Sequence, residues 1–488
     1  MKTNHFLGIN NSEGLDAINK SIVRINKILA ERLKNDRHCF SGVEPKQLQE
    51  LISGIELGTE SDKSLDSIIE DISNIYIENS INTHSPFYMA HLHSTVSIET
   101  VIGEYLIGLL NPSLDSWDQA PFATEIDELV VNFFLQKIFG KNHGADGVFT
   151  SGGSQSNLMG ILLARDIKRQ EYNIDSRRDS LGQLESKFRI YCSSVSHFTI
   201  EKSAWLLGLG EQSVVKLDVD KKFKIDIKQF QEKLVKDIAN NCIPICVVST
   251  AGTTDYGSID PIQEIAEIAK EYRMWHHIDA AYGGAMIFNP KVRWTRYFSL
   301  ANSITIDLHK MLFQPISSSL FLCNNKKYIH NLNFESDYLN RKEDFELGMH
   351  NLVEKSLQTS RRFDSLKFLL TIQGMKQSGI EEILQGLLDL TRSVAVYLKE
   401  LDEIELLNEP ELSSLVFRYK PIGNQDIDTI NRKIRLTLMR KGMVIGETRF
   451  KGNIFLKFTL LNPNAKLEDL KEVINAVLNT GHKASRIA

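Results

Sequence analysis

Between about residues 125 and 330 the chain alternates short apolar, β-rich runs with amphipathic helical stretches, and nothing else in it constrains the fold as much. The runs GVFT, FRIYCSS, ICVVST, WHHIDAA, SITIDL and SLFLC are separated by patterns such as NLMGILLARDIKRQE and IQEIAEIAKEY, whose apolar positions recur at helical spacing. Strands apolar on both faces and alternating with helices build βαβ units, so a large α/β domain with a largely parallel sheet is expected. Both flanks differ from this centre. Residues 14 to 80 are polar and helical, with apolar spacing in LDAINKSIVRINKILAERL and SLDSIIEDISNIYI, and form an arm or lid too thin for a core of its own. After about 385 come helix, strand, helix, strand, strand and helix, with LVFRYK, MVIGETRF and IFLKFTLL as the strands. That order predicts a small α+β domain with an antiparallel sheet and helices on one face. The expected division is 1–110 for the N-terminal helical segment, 111–385 for the large domain and 386–488 for the small C-terminal domain. Segment 334–357, charged and weakly periodic, reads as a long loop of the kind that often carries function.

With 488 residues, 42% of them hydrophobic and 24% charged, the chain can bury a sizeable core. A net charge of −5 gives no basic field to hold nucleic acid or an anionic membrane, so a small molecule or a protein is the expected partner. The first twenty residues lack the apolar core of a secretory signal, and no stretch approaches the roughly 18 apolar residues of a membrane span. A cytoplasmic location is expected. Five cysteines are too few for a disulfide scaffold and none forms a C-x-x-C pair. Cys242 and Cys246 fall on one predicted strand, where four residues at about 3.3 Å each hold them roughly 13 Å apart, too far to share a metal. Buried, reduced thiols and no metal site are expected.

Four stretches carry candidate chemistry. In FTSGGSQSNLMGILLAR a strand end is followed by Gly152, Gly153 and Ser154 at the start of a helix, where close backbone approach and free N–H groups favour an anion such as phosphate. HHIDAAYGGAM places Asp279 at the carboxyl end of a strand, facing the side on which open α/β sheets bind ligands, with small residues that leave room for a flat ring. SITIDLHKMLF places Lys310 just after another strand, where desolvation would free its amine to attack a carbonyl. His197 follows the strand FRIYCSS in SSVSHFTIEKSAWLLG. Each also has an ordinary reading: a common βα turn, a capping aspartate, a snorkelling lysine, a surface histidine.

Together they are the parts that pyridoxal 5′-phosphate needs, and from TSGGSQSN through SHFTIEKSA, STAGTTDYGSIDPI and HIDAAYGG to DLHK the order and spacing resemble the pyridoxal-phosphate-dependent amino-acid decarboxylases. The family includes glutamate, aromatic amino-acid and 2,4-diaminobutyrate decarboxylases, and the resemblance covers about residues 75 to 480. It implies a fold type I, aspartate-aminotransferase-like large domain with a mostly parallel seven-stranded sheet. By the same resemblance Lys310 is the lysine that bonds the cofactor aldehyde, and Asp279 keeps the pyridine nitrogen protonated. Ala281 and His197 are implied to cover the two ring faces, Gly153 and Ser154 to hold the phosphate with His309 nearby, and Thr254 to approach the ring hydroxyl and the substrate carboxylate. Other pyridoxal-phosphate lyases or aminotransferases of this fold, and a catalytically idle scaffold relative, are the competing readings.

The resemblance also implies a homodimer whose active sites are shared, with a substrate pocket lined by NSINTHSPFYMAHLHS and NPSLDSWDQAPFATEID. His91, His93, Asp115 and Asp118 stand where aromatic amino-acid decarboxylases carry aromatic walls, a pattern closest to enzymes acting on diaminobutyrate, ornithine or lysine, some of them serving siderophore assembly. A buried carboxylate there would pair with a distal ammonium group. A turn held by Asp115 and Asp118 is the alternative. The family's proton-donating loop tyrosine has no counterpart at Gly348 to Leu352, so either Tyr338 or His350 is the acid or protonation is done differently, which would open side chemistry such as oxidative deamination of the amine.

Overall fold

The computed structural model describes residues 7, 12–35, 37–55, 57, 63–141, 144–334, 339, 346–421, 423 and 425–486. The large layer is a seven-stranded sheet of β2 (Asp146–Thr150), β3 (Phe188–Ser193), β4 (Val214–Leu217), β5 (Ile243–Thr250), β6 (Trp275–Asp279), β7 (Ser303–Asp307) and β8 (Ser319–Cys323), while β1 (Tyr88–Met89) belongs to a second sheet. Their spatial order is β2-β8-β7-β6-β5-β3-β4, and only β8 runs antiparallel to its neighbours. The sheet is buried on both faces, which explains why its strands read as apolar runs rather than as alternations. On one face Ile190, Cys192, Cys246 and Val248 pack against Met159, Leu163 and Ala164 of the helix Gly153–Glu171. On the other, Tyr191 and Val247 meet Phe230 and Leu234 of Ile227–Ala239 and Ile265 and Ile268 of Ile262–Glu271.

The second sheet has five strands, β1-β11-β12-β10-β9, formed by β9 (Ile404–Leu406), β10 (Ser414–Tyr419), β11 (Val444–Phe450) and β12 (Asn453–Thr459) together with β1. Four of them are antiparallel, as expected from the C-terminal pattern. The fifth, β1, comes from far upstream and pairs parallel to β11 through Tyr88–Val444 and Met89–Ile445. Helices Ile427–Arg440 and Leu467–Ser485 cover this sheet through Ile434, Leu438, Leu470, Val473 and Val477. The passage from the large layer to the small one lies within a helical stretch, Ser365–Lys399, that runs through residue 385 and breaks at Lys376, where φ is 60°. The N-terminal helices Pro45–Ser53 and Leu65–Asn79 bury none of their described residues. Among the described residues no helix is long and apolar enough to cross a membrane.

Candidate active site

Strand direction brings the sequence signals together. β3, β5, β6 and β7 are parallel, and β2 shares their direction because it and β7 both run against β8. Their carboxyl ends therefore lie on one edge of the sheet, the edge where such sheets bind ligands. Gly153 follows β2, His197 follows β3, Thr254 follows β5, Asp279 ends β6, and Lys310 follows β7. These residues, with Ser154, Ala281 and His309, line a single cleft of about 260 Å³.

Asp279 is buried at the floor of the cleft, its Oδ1 accepting from the Ala281 N–H at 3.1 Å and its Oδ2 from Asn157 Nδ2 at 2.9 Å. A carboxylate held by two donors keeps its orientation, which is what a partner for a protonated ring nitrogen requires. Lys310 Nζ lies 2.9 Å from Asp307 Oδ2, and its side chain keeps 18% of its surface open, so the amine can be reached. His309 donates from Nδ1 to the Ser318 carbonyl at 2.7 Å. His197 Nδ1 is 2.9 Å from Thr199 Oγ1, and burial, helped by Lys310, pushes the imidazole pKa below its usual value against the pull of Asp279, Asp307 and Asp255.

The candidate phosphate cradle is the start of the helix Gly153–Glu171, where the first N–H groups have no intrahelical partner. Gly152 adopts φ 142°, a conformation that favours glycine. A Cβ on Gly153 would come within 3.0 and 3.1 Å of the Asp307 carboxylate oxygens and 3.3 Å of the Ala281 Cβ, so the space above this turn exists only because the residue is glycine. Asp307 Oδ1, buried at the same place, has no hydrogen-bond partner. A reachable lysine, a fixed carboxylate, small neighbours and a helix start fit pyridoxal 5′-phosphate. The loop that carries Thr254 is clamped from the small sheet, because Asp255 pairs with Lys457 of β12 at 2.8 Å and accepts from Thr448 of β11 at 2.8 Å.

The substrate candidates are placed differently. Leu92 lines the cleft, flanked by exposed His91 and half-buried His93, whose Nδ1 is 3.4 Å from the Tyr88 hydroxyl. Asp115 is buried in a turn, bound by the hydroxyls of Ser113 and Ser360, with its carbonyl accepting from Val353 N–H at 3.3 Å. Asp118 is exposed and accepts from Ser116. Neither aspartate lines the cleft of its own chain, so the arrangement within one chain is that of a turn. His350 is exposed and lies outside the described lining, and Tyr338 falls outside the described residues. Among the described residues no group of three or more His, Cys, Asp or Glu side chains could hold a metal ion.

Sequence reasoning missed Asn157, Thr199 and Asp307, which all line the cleft. Asn157 stands four residues after Gly153 and so on the same helix face, a signal that was available.

The geometry agrees with what known proteins show. A family model described as "Pyridoxal-dependent decarboxylase conserved domain" matches residues 45–420. An L-2,4-diaminobutyrate decarboxylase of Acinetobacter baumannii is 36% identical over 93% of this chain and 90% of its own, and one of Rhizobium meliloti (strain 1021) is 34% identical over 91% and 88%. The crystal structure titled "glutamate decarboxylase domain of diaminobutyrate-pyruvate transaminase and L-2,4-diaminobutyrate decarboxylase" from Vibrio parahaemolyticus superimposes with a TM-score of 0.89 at 33% identity, covering 98% of each chain. With most of its length matched and the cofactor's binding groups gathered in one cleft, the chain belongs to the pyridoxal-dependent decarboxylases.

Proposed function

We propose that the protein removes the α-carboxylate of a small diamino acid, 2,4-diaminobutyrate, ornithine or lysine, as CO2 and releases the diamine. The observation that carries this reading is the charge of the cleft. Asp279 and Asp307 line it, Lys310 is the only Lys or Arg among the described lining residues, and Tyr282 the only Phe, Tyr or Trp. Asp279 is engaged with the ring nitrogen and Asp307 with Lys310, so a distal ammonium group meets no further lysine or arginine there, whereas the side-chain carboxylate of glutamate would lack a cation and an aromatic side chain would lack walls. The names of the Acinetobacter and Rhizobium relatives agree with this choice. A diamine product would feed polyamine or siderophore assembly.

Bound pyridoxal 5′-phosphate supplies an electrophilic aldehyde and a protonated ring that takes up the electron pair left by CO2. In this site Lys310 would offer the amine that bonds the aldehyde. Asp279 keeps the proton on the ring nitrogen, and its two hydrogen bonds stop it from turning away. Gly153, Ser154 and His309 hold the phosphate, Ala281 and His197 flank the ring, and Thr254 approaches the substrate carboxylate. Tyr338 and His350 are the candidates that return a proton to the α-carbon.

We place the working unit as a homodimer in the cytoplasm. Ile98 and Leu110, each 78% exposed, and Phe122, 67% exposed, are large apolar side chains on the segments flanking Asp118 in sequence, and a second copy would cover them while bringing Asp118 to its partner's cleft. Among the described residues Cys192, Cys242, Cys246 and Cys323 form no disulfide, as suits a reducing compartment.

The test is CO2 release by the purified, cofactor-loaded enzyme from 2,4-diaminobutyrate, ornithine, lysine, glutamate and tyrosine. Preference for a diamino acid is expected. A preference for glutamate or tyrosine would defeat the substrate assignment, and conversion without CO2 would point to a lyase or aminotransferase.

A further inference from the structure

Asn157 is 2% exposed and forms the junction of a buried chain of hydrogen bonds beneath the cleft. Trp275 Nε1 lies 2.8 Å from Ser303 Oγ, which lies 2.8 Å from His277 Nδ1. His277 Nε2 is 3.0 Å from Asn157 Oδ1, and Asn157 Nδ2 is 2.9 Å from Asp279 Oδ2. The two ends have no freedom, because an indole N–H only donates and a carboxylate only accepts. From the Asp279 end, the amide nitrogen of Asn157 faces the carboxylate, so its oxygen accepts and His277 carries its proton on Nε2. Thr305 Oγ1 gives the same oxygen a second hydrogen at 2.8 Å. From the Trp275 end, Ser303 accepts from the indole and passes its own hydrogen to His277 Nδ1. Ser303 has a hydrogen available for Nδ1, so the Trp275 end accommodates the neutral tautomer that the Asp279 end requires, and burial pushes the pKa of His277 down to about 3.

A branch leaves the chain at Asn157. The other amide hydrogen goes to Thr199 Oγ1 at 3.0 Å, which leaves the threonine hydrogen for His197 Nδ1 at 2.9 Å. The backbone N–H of Thr199 approaches the same ring nitrogen at 3.4 Å. Two donors on Nδ1 exclude a proton there. The single proton of a neutral His197 is then on Nε2, for which the described residues provide no partner.

We propose that Asn157 is a positioning residue which, through this one-way chain, fixes the tautomer of His197 together with the orientation of Asp279. His197 then offers the cleft an N–H donor and not a basic lone pair. Its ligand is an acceptor, such as a carboxylate oxygen of the substrate, and His197 takes no proton from the substrate amine. The charged groups that act on its ring are Asp279, Lys310, Asp307 and Asp255, while both hydrogen-bond contacts of Nδ1 given above come from Thr199.

The first test uses cofactor-free, deuterated protein with ring-15N-labelled histidine, the His197 signals being assigned by their loss in His197→Gln. At pH 7 His197 should be neutral with its proton on Nε2. Thr199→Val keeps the shape and removes the hydroxyl donor, and should give a mixture of tautomers. A wild-type His197 protonated on Nδ1, or a Thr199→Val spectrum unchanged at His197, overturns the proposal whatever the cofactor assignment. The second test uses the loaded enzyme. Asn157→Asp sets a second carboxyl against Asp279, and should weaken cofactor binding at least about tenfold and move the pH profile of the bound cofactor's absorbance. Lower thermal stability with wild-type affinity and an unmoved profile would make Asn157 a packing residue only and sink the idea. Should Asn157→Asp fail to fold, the Thr199→Val spectrum decides.

Discussion

Lys310 Nζ and Asp307 Oδ2 are 2.9 Å apart, three residues from one another in the turn that follows β7. The pairing fixes the amine at the cleft before any cofactor arrives, and it makes Lys310 the lysine to remove. Lys310→Ala should fold, lose the borohydride-reducible absorbance of the loaded enzyme, and lose CO2 release by about a thousandfold, or ~4 kcal/mol of barrier. A reducible covalent adduct persisting in this variant would assign the bond to another lysine.

Gly153→Ala tests the phosphate cradle. The new methyl group would meet both carboxylate oxygens of Asp307 at 3.0 and 3.1 Å and narrow the space over the helix start. Cofactor affinity should fall about tenfold, ~1.4 kcal/mol, with little change in the far-ultraviolet circular dichroism. Titration of the cofactor-free protein by fluorescence reads this directly, and an unchanged dissociation constant would place the phosphate elsewhere.

The two aspartates of DSWDQ should separate. Asp115 is buried and holds a turn through Ser113, Ser360 and Val353, so Asp115→Ala should cost about 1–3 kcal/mol of stability and affect all substrates alike. Asp118 is exposed, so Asp118→Ala should leave stability within about 0.5 kcal/mol. It should nonetheless lower kcat/KM about tenfold for the diamino acid and much less for an uncharged analogue of equal length. Equal losses on both substrates would remove Asp118 from substrate recognition. Light scattering of the active enzyme should give the mass of a dimer.

Acid should act on the buried imidazoles. Burial brings His276 down to about 3, while in the unfolded chain it titrates near 6.5. Between these values the unfolded state binds the extra proton, so the contribution is fully present above about pH 6.5 and is lost as pH falls toward 3. At pH 5 this one residue should account for about 2 kcal/mol. Asp260, pushed up to about 7 by burial, acts in the opposite direction, since its folded form holds the proton between about 4 and 7. Urea midpoints of the wild type and His276→Gln at pH 7.5 and pH 5 isolate the histidine, because Asp260 is common to both. The loss of stability on acidification should be smaller in the variant, and equal losses would mean that His276 is not held neutral.

The legible parts of the site were those carried by local sequence at strand ends. Gly153, His197, Asp279 and Lys310 each lie within four residues of a carboxyl-terminal strand end, and parallel pairing then brings those ends together without further information. What sequence could not reveal was direction and distance. SLFLC has the same apolar texture as the parallel strands, so nothing in it announced that β8 runs the other way. Asp115 looked like a substrate ligand because its partners, Ser360 and Val353, lie more than two hundred residues away. Asn157 lies in an amphipathic helix, where polar residues usually face water, and its spacing of four from Gly153 is the one local sign that it faces the cleft instead. The small C-terminal sheet was read from its own pattern, but Tyr88 and Met89 are too short a run to declare themselves a strand.

That short strand bears on how the molecule is made. Met89 leaves the ribosome about 350 residues before its neighbour Ile445, which at about 5–20 residues per second is a wait of roughly 20 to 70 s. Until then Tyr88 and Met89 have no edge to join, and the loop of His91, Leu92 and His93 that borders the cleft is held from its downstream side, where Ser94 and Ser97 bond the carbonyls of His309 and Phe313. From about residue 323, where β8 ends, to residue 445, roughly a quarter of its synthesis, the nascent chain therefore carries all strands of the large sheet and an unfinished doorway. The last piece of the rim to be fixed is thus supplied by a strand made after every residue that lines the cleft.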